Sequence, residues 1–136
     1  MPDVSLIPVV NTIAPTLSPA ATTKTYIQAS AFGAAAVVTA TLPAAVGKTT
    51  WLSGFWVTGA GATAATTVQG SITGIGTQMF FYVTVPAGVN SNVAELFVEF
   101  ADPIPASGTN TAIVISVPSF GAGNTSSNVT AHGFQQ

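Results

Sequence analysis

An antiparallel β-sandwich preceded by an extended arm is the fold predicted by this chain of 136 residues. Turn chemistry recurs along it at roughly the 8–12-residue spacing of sandwiches and barrels. The segments between turns are β-branched and aromatic, several alternate apolar with polar, and none carries a helical period. The length suits one core, and no second block of composition marks another folded unit.

The first element, residues 1–23, is the arm. Pro2, Pro8, Pro15 and Pro19 punctuate it, a spacing that resists both helix and central strand. Fully stretched, such a segment reaches roughly 70 Å, enough to cross a neighbouring subunit. Val4, Leu6, Ile7, Val9, Val10, Ile13 and Leu17 make it more apolar than a plain linker, so it is expected to dock on a partner; a tail with no partner is the competing reading. The sandwich follows over residues 24–136.

Eight strands are expected there: 24–30 (KTYIQAS), 34–42 (AAAVVTATL), 49–59 (TTWLSGFWVTG), 64–74 (AATTVQGSITG), 77–85 (TQMFFYVTV), 94–101 (AELFVEFA), 110–118 (NTAIVISVP) and 127–134 (SNVTAHGF). The connections TGAGA, VPAGVNSN, DPIPASGTN and SFGAGNTSSN supply the Gly, Pro, Asn and Ser of turns. Eight antiparallel strands suit a jelly roll or a related sandwich. Successive side chains of a strand face opposite sides, so Leu96, Val98 and Phe100 should enter the core while Glu95, Phe97 and Glu99 face away. Val68 and Ile72 share a face, as do Met79, Phe81, Val83 and Val85, set against Phe80, Tyr82 and Thr84. AIVISV (112–117) and the run from Trp51 to Val57 are apolar on both faces; each is either central in its sheet or covered by a partner.

Charge is scarce, at 4% of residues against about 25% in ordinary soluble proteins. Lys24 and Lys48 are the only cations and the net charge is -2, so no basic patch exists to neutralise phosphates and a nucleic-acid partner is not expected. So little charge also removes the repulsion that keeps free monomers apart, which favours a surface covered by other subunits. Cysteine is absent, so neither disulfides nor thiolate metal sites are available. The start, MPDVSLIPVV, carries Asp3 and is broken by Pro8, unlike a secretory leader. The most apolar window, 31–46, is too short and too rich in Thr, Gly and Pro to span a bilayer, so no membrane partner is expected.

Motifs for chemistry are incomplete. Gly47-Lys48-Thr49 matches the end of a phosphate-binding loop, but Leu42 stands where the first glycine belongs and a β-rich run follows where a helix should begin. A polar turn into a strand is the better reading. Glu95 and Glu99, four residues apart on one strand, lie about 13 Å apart by strand rise, too far for the carboxylate pair of a glycosidase at about 5–9.5 Å. Asp102 lacks the D-x-D-x-D-G loop of a calcium site. His132 is the single histidine; it cannot form a multi-histidine metal cluster, no activated Ser or Thr is marked beside it, and it reads as a surface or interface residue. Trp51, Phe55, Trp56, Phe80, Tyr82 and Phe97 could stack on a sugar ring, but the sequence marks no convergent polar groups for it, so packing at core and interface is favoured. Asn124-Thr-Ser and Asn128-Val-Thr match the glycosylation pattern and, with no secretory leader in view, read as chance. No catalytic, cofactor or metal site is expected.

The stretches GFWVTGAGATAATTVQGSITGI (54–75), YVTVPAGV (82–89) and TNTAIVISVPSFGAGNTSSNVTAHGF (109–134) resemble small proteins encoded among the structural genes of tailed bacteriophages. The likeness covers about residues 50–134, most specifically Gly-Ala-Gly-Asn-Thr and Ala-His-Gly-Phe, and leaves out the arm. It implies a capsid decoration, or cement, protein: a β-rich brick bound to the major capsid protein on the virion surface. A homo-oligomer is then expected, with a trimer suiting three-fold positions of a shell. Its contacts would be made by the arm residues together with Trp56, Tyr82 and Phe97. A tail component and a carbohydrate-binding module are the alternatives.

Overall fold

The computed structural model describes residues 23–136. The expected arm, with Val4, Leu6, Ile7, Val9, Val10 and Ile13, lies outside the described residues but for Thr23. The strands are β1 (Thr25–Gly33), β2 (Val38–Leu42), β3 (Thr50–Gly59), β4 (Thr66–Thr73), β5 (Met79–Val85), β6 (Leu96–Pro105), β7 (Ile113–Val117) and β8 (Ser127–Gln135). Each overlaps an expected segment. β2 starts later than expected because residues 34–36 bend, with Ala35 in the left-handed region at φ 47°. β6 runs four residues past its expected end, through Asp102-Pro103-Ile104-Pro105. An edge strand has ladder bonds on one side only, so the prolines' missing N–H groups are tolerated there.

All pairings are antiparallel, in two four-stranded sheets of order β1-β8-β3-β6 and β2-β7-β4-β5. First pairs with last, second with seventh, third with sixth and fourth with fifth. The chain is thus one long hairpin rolled over itself, the path of a jelly roll. β3 and β7 are both central, which decides why their sequences are apolar on two sides: neighbours flank them, and outward residues such as Trp56 and Val114 are half-covered.

The core fills the gap between sheets. Leu52, Phe55, Val57, Val129 and Ala131 from one sheet meet Val38, Leu42, Ile72, Val83, Val85, Ile113 and Ile115 from the other. Phe55, 2% exposed, reaches Phe81 at 4.9 Å and Phe100 at 6.4 Å between ring centroids. Leu96, Val98 and Phe100 face this core as the alternation predicts, and Phe97 and Glu99 face out.

Buried polar groups tie the two ends. Asn124, 4% exposed, accepts from the Ala35 amide (3.2 Å) and donates to the carbonyls of Ala60 (2.7 Å), Ser126 (3.0 Å) and Gly61 (3.4 Å). One amide side chain thereby joins the β1–β2, β3–β4 and β7–β8 connections. Its nitrogen is enclosed and occupied, so Asn124-Thr-Ser offers no glycan acceptor in the folded chain. At the other end the Pro43 carbonyl accepts from Thr50 Oγ1 (2.9 Å) and Gln135 Nε2 (2.7 Å). Gly47-Lys48-Thr49 lies in the turn before β3: Gly47 takes φ 71°, Lys48 N–H donates to Ala45 and Lys48 Nζ to Thr25 Oγ1. It is the turn into a strand that the sequence indicates, with no helix behind it.

Candidate functional site

The outward face of the β1-β8-β3-β6 sheet gathers the side chains that could make contacts, and an irregularity at Ser53 of β3 puts both tryptophans on it. Trp51 and Trp56 are five residues apart, so strict alternation would place them on opposite faces. Between Leu52 and Gly54 the register slips: against β8, Ser53 is the extra residue of a β-bulge, whereas against β6 the extra residues belong to β6, residues 100–103 standing opposite Ser53. The phase of the strand changes there. Leu52 before the bulge and Phe55 and Val57 after it point inward, while Trp51 and Trp56 both point out.

Cross-strand register then arranges the outward side chains in rows. Tyr26, Phe134, Trp51 and Pro105 form one row across all four strands. In it Phe134 stacks on Trp51 (5.8 Å, 11°), meets Tyr26 edge-on (6.4 Å, 68°) and lies under Lys24 Nζ, 4.4 Å from the ring centroid. Gln28, His132, Gly54 and Glu99 form the next row. Ser30, Thr130, Trp56 and Phe97 form the third, where Ser30 and Thr130 share a hydrogen bond of 2.9 Å and Trp56 stacks on Phe97 at 6.3 Å and 29°. A polar row therefore runs between two aromatic ones.

Within the polar row His132 Nε2 reaches Glu99 Oε1 at 3.0 Å, although β8 and β6 are separated by β3. The residue between them is Gly54. A Cβ there would lie 2.5 Å from the Val98 carbonyl and 2.9 Å from the Glu99 carboxylate, so only glycine leaves the channel through which the pair meets. Replacing Gly54 with valine is expected to separate His132 from Glu99 and to destabilise the sheet by about 1–3 kcal/mol, the usual range for overpacking; denaturant titration and the His132 imidazole resonances would read the two effects. The contact contributes little to stability, since its side chains are 30% and 47% exposed.

A shallow cleft of about 330 Å³ opens beside the bulge, lined by Tyr26, Ile27, Gln28, Ser53, His132 and Gly133. Ser53, His132 and Glu99 include the residue types of a nucleophile triad, but no hydrogen bond links Ser53 to His132. His132 Nδ1 and Trp51 Nε1 are enclosed without partners among the described residues. The grouping lacks the nucleophile–base contact on which such catalysis depends. Among the described residues no three His, Cys, Asp or Glu side chains converge as a metal site, and no helix is long and apolar enough to cross a membrane.

Of the contact residues expected from sequence, Trp56 and Phe97 come together in one stack. Tyr82 is elsewhere, on the outward face of the second sheet, where it takes a 2.8 Å hydrogen bond from Gln69 Nε2. Tyr26 (80% exposed) and Phe32 (71%) belong to the Trp56 face and were not singled out by sequence. Their signal was present: in TYIQASAF the aromatics occupy the same alternate positions as Gln28 and Ser30, opposite Ile27, Ala29 and Ala31. No protein-family model, curated protein or solved structure matches the chain.

Proposed function

We propose that the chain is a structural subunit of a phage virion, a capsid decoration protein that binds the major capsid protein and stabilises the shell by burying surface. The supporting observation is the outward face just described. Tyr26, Phe32 and Phe97 are largely exposed on it, Trp56 stacks beside them, and Glu99 and Lys24 are the charges nearby. Exposed apolar patches of this kind mark interaction surfaces, and aromatic anchors carry most of the energy in protein contacts. Each 100 Å² of apolar surface covered contributes about 2.5 kcal/mol before docking costs, and repetition over a shell multiplies small gains. The arm, through Val4, Leu6, Ile7, Val9, Val10 and Ile13, is the proposed anchor.

Electron cryo-microscopy of virions carrying the chain is expected to show the eight-stranded sandwich over the coat lattice, and to lose that density after joint replacement of Trp56 and Phe97 by alanine. Density on the tail would make it a tail component, and its absence from particles would end the virion reading. The cleft supports a second reading, a carbohydrate-binding module. Tyr26 offers a ring face and Gln28, Ser53 and His132 offer polar groups around one opening, the combination used for sugar recognition. Saturable binding on a glycan array, lost on Tyr26→Ala, would favour it.

A further inference from the structure

We infer that β5 pairs with the β5 strand of a second copy of this chain, antiparallel about a two-fold axis through Tyr82, joining two four-stranded sheets into one of eight. β5 closes the β2-β7-β4-β5 sheet and is hydrogen-bonded on its β4 side only. Among the described residues no strand pairs with its outer side, so a row of backbone N–H and C=O groups faces outward there, a template for another strand.

The other edges are guarded. β1 and β2 lie against each other and close their side of the sandwich, and β2 has only five residues, with Pro43 directly after it. β6 carries Glu99, Asp102, Pro103 and Pro105; self-pairing would gather carboxylates in a chain with two cations in all. β5, MFFYVTV, has neither charge nor proline over seven residues. The whole stretch 74–94 around it is free of charge. Met79, Phe80 and Tyr82 are exposed at 38%, 56% and 64%.

The sequence of β5 fits its own reverse. Centred on Tyr82, self-pairing sets Tyr82 against Tyr82 and Phe80 against Thr84 on the outward face, and Phe81 against Val83 and Met79 against Val85 on the inward one. These are aromatic–aromatic, aromatic–β-branched and apolar pairs, the kinds that stabilise neighbouring strands, with no like charges opposed. An isologous contact of this kind closes on two copies. A three-fold contact would need a different surface, and the Trp56 and Phe97 face on the other sheet remains free for it. The inference goes beyond the virion reading and stands independently of it, since copies can pair in dilute solution with no shell present.

Cysteine chemistry tests the register, because the chain has no cysteine of its own. Across the axis the two Tyr82 Cα atoms would lie about 4.5–5.5 Å apart, inside the roughly 4.4–6.8 Å that a disulfide bridges. The two Phe80 Cα atoms would be four rises apart, about 14 Å. Full-length Tyr82→Cys is therefore expected to give a covalent dimer under mild oxidation and Phe80→Cys to give none, while the double variant Phe80→Cys/Thr84→Cys crosslinks. Native mass spectrometry of the unmodified chain should show a dimer that Tyr82→Lys converts to monomer and Phe97→Lys leaves intact; circular dichroism confirms that each variant is folded. An unmodified chain that is monomeric at micromolar concentration overturns the inference. So does crosslinking of Phe80→Cys as efficient as that of Tyr82→Cys, or a Tyr82→Lys variant that is folded and still dimeric, as it would be if residues 1–22 or another surface held the copies together.

Discussion

Replacing Asn124 with alanine is expected to lower the unfolding free energy by about 3 kcal/mol, the cost of leaving several partly buried backbone groups without partners at about 1 kcal/mol each, the lower end of the range for such groups. The Asn124 amide joins an N–H at Ala35 to carbonyls at Ala60 and Ser126. These groups come from three connections far apart in sequence, and the side chain that joins them is 4% exposed. For a domain of this size the loss corresponds to a fall in melting temperature of roughly 10 °C. Aspartate is nearly isosteric and keeps the acceptor for Ala35, but it lacks both donor hydrogens and places a carboxylate beside carbonyl oxygens; it should cost at least as much as alanine. If Asn124→Ala melts within a degree or two of the unmodified chain, the joint between the connections is not what holds this end of the sandwich.

Phe55→Ala should be the more damaging change, at about 3–5 kcal/mol, the range for removing a buried aromatic ring and leaving a cavity. Phe55 stands on β3 with Phe81 of the opposite sheet at 4.9 Å, so its loss opens the contact between layers as well as the space around one residue. Phe97→Ala is its counterpart on the outward side of the same sheet. That ring is 59% exposed, and its loss should change the stability of the isolated chain by about 1 kcal/mol or less. Urea titrations would compare midpoints at unchanged slope, since a changed slope would signal altered compactness and not altered packing. A Phe97 variant as unstable as the Phe55 variant would show that the outward stack belongs to the fold and is not a surface reserved for contact.

The two phenylalanines illustrate what a strand sequence makes legible. Phe97 could be placed outward because Leu96, Val98 and Phe100 bracket it with an unbroken period of two, and β6 keeps that period through Phe100. Tyr82 and Val83 were legible in the same way on β5. Phe55 was not, because the run from Trp51 to Val57 is apolar on both faces and its period is interrupted by the bulge at Ser53. Nothing in a linear pattern marks an extra residue, since a bulge is defined by the two strands alongside it. Asp102-Pro103-Ile104-Pro105 misled in the opposite sense: it carries turn chemistry, yet it is strand because β6 lies at a sheet edge, where a missing donor costs nothing. His132 and Glu99, 33 positions apart, carried no mutual signal. Their meeting depends on β8 and β6 flanking the same glycine.

By itself the sequence determined that the chain is all-β, that its core contains the alternating apolar residues of eight strands, and that its charge is confined to two lysines and four carboxylates. These follow from local rules, namely the two-residue period, the turn residues and the count of charges, each of which acts over a few positions. Only the tertiary structure decided the rolled hairpin order, the joining of three connections by Asn124, the rows of Trp51, Trp56, Phe97 and His132 on one face, and the outer edge of β5, which no strand among the described residues pairs with. Each of those depends on which strand lies beside which. In a fold whose first strand pairs with its last, that choice is made by the burial of both sheets at once, and no short stretch of residues records it.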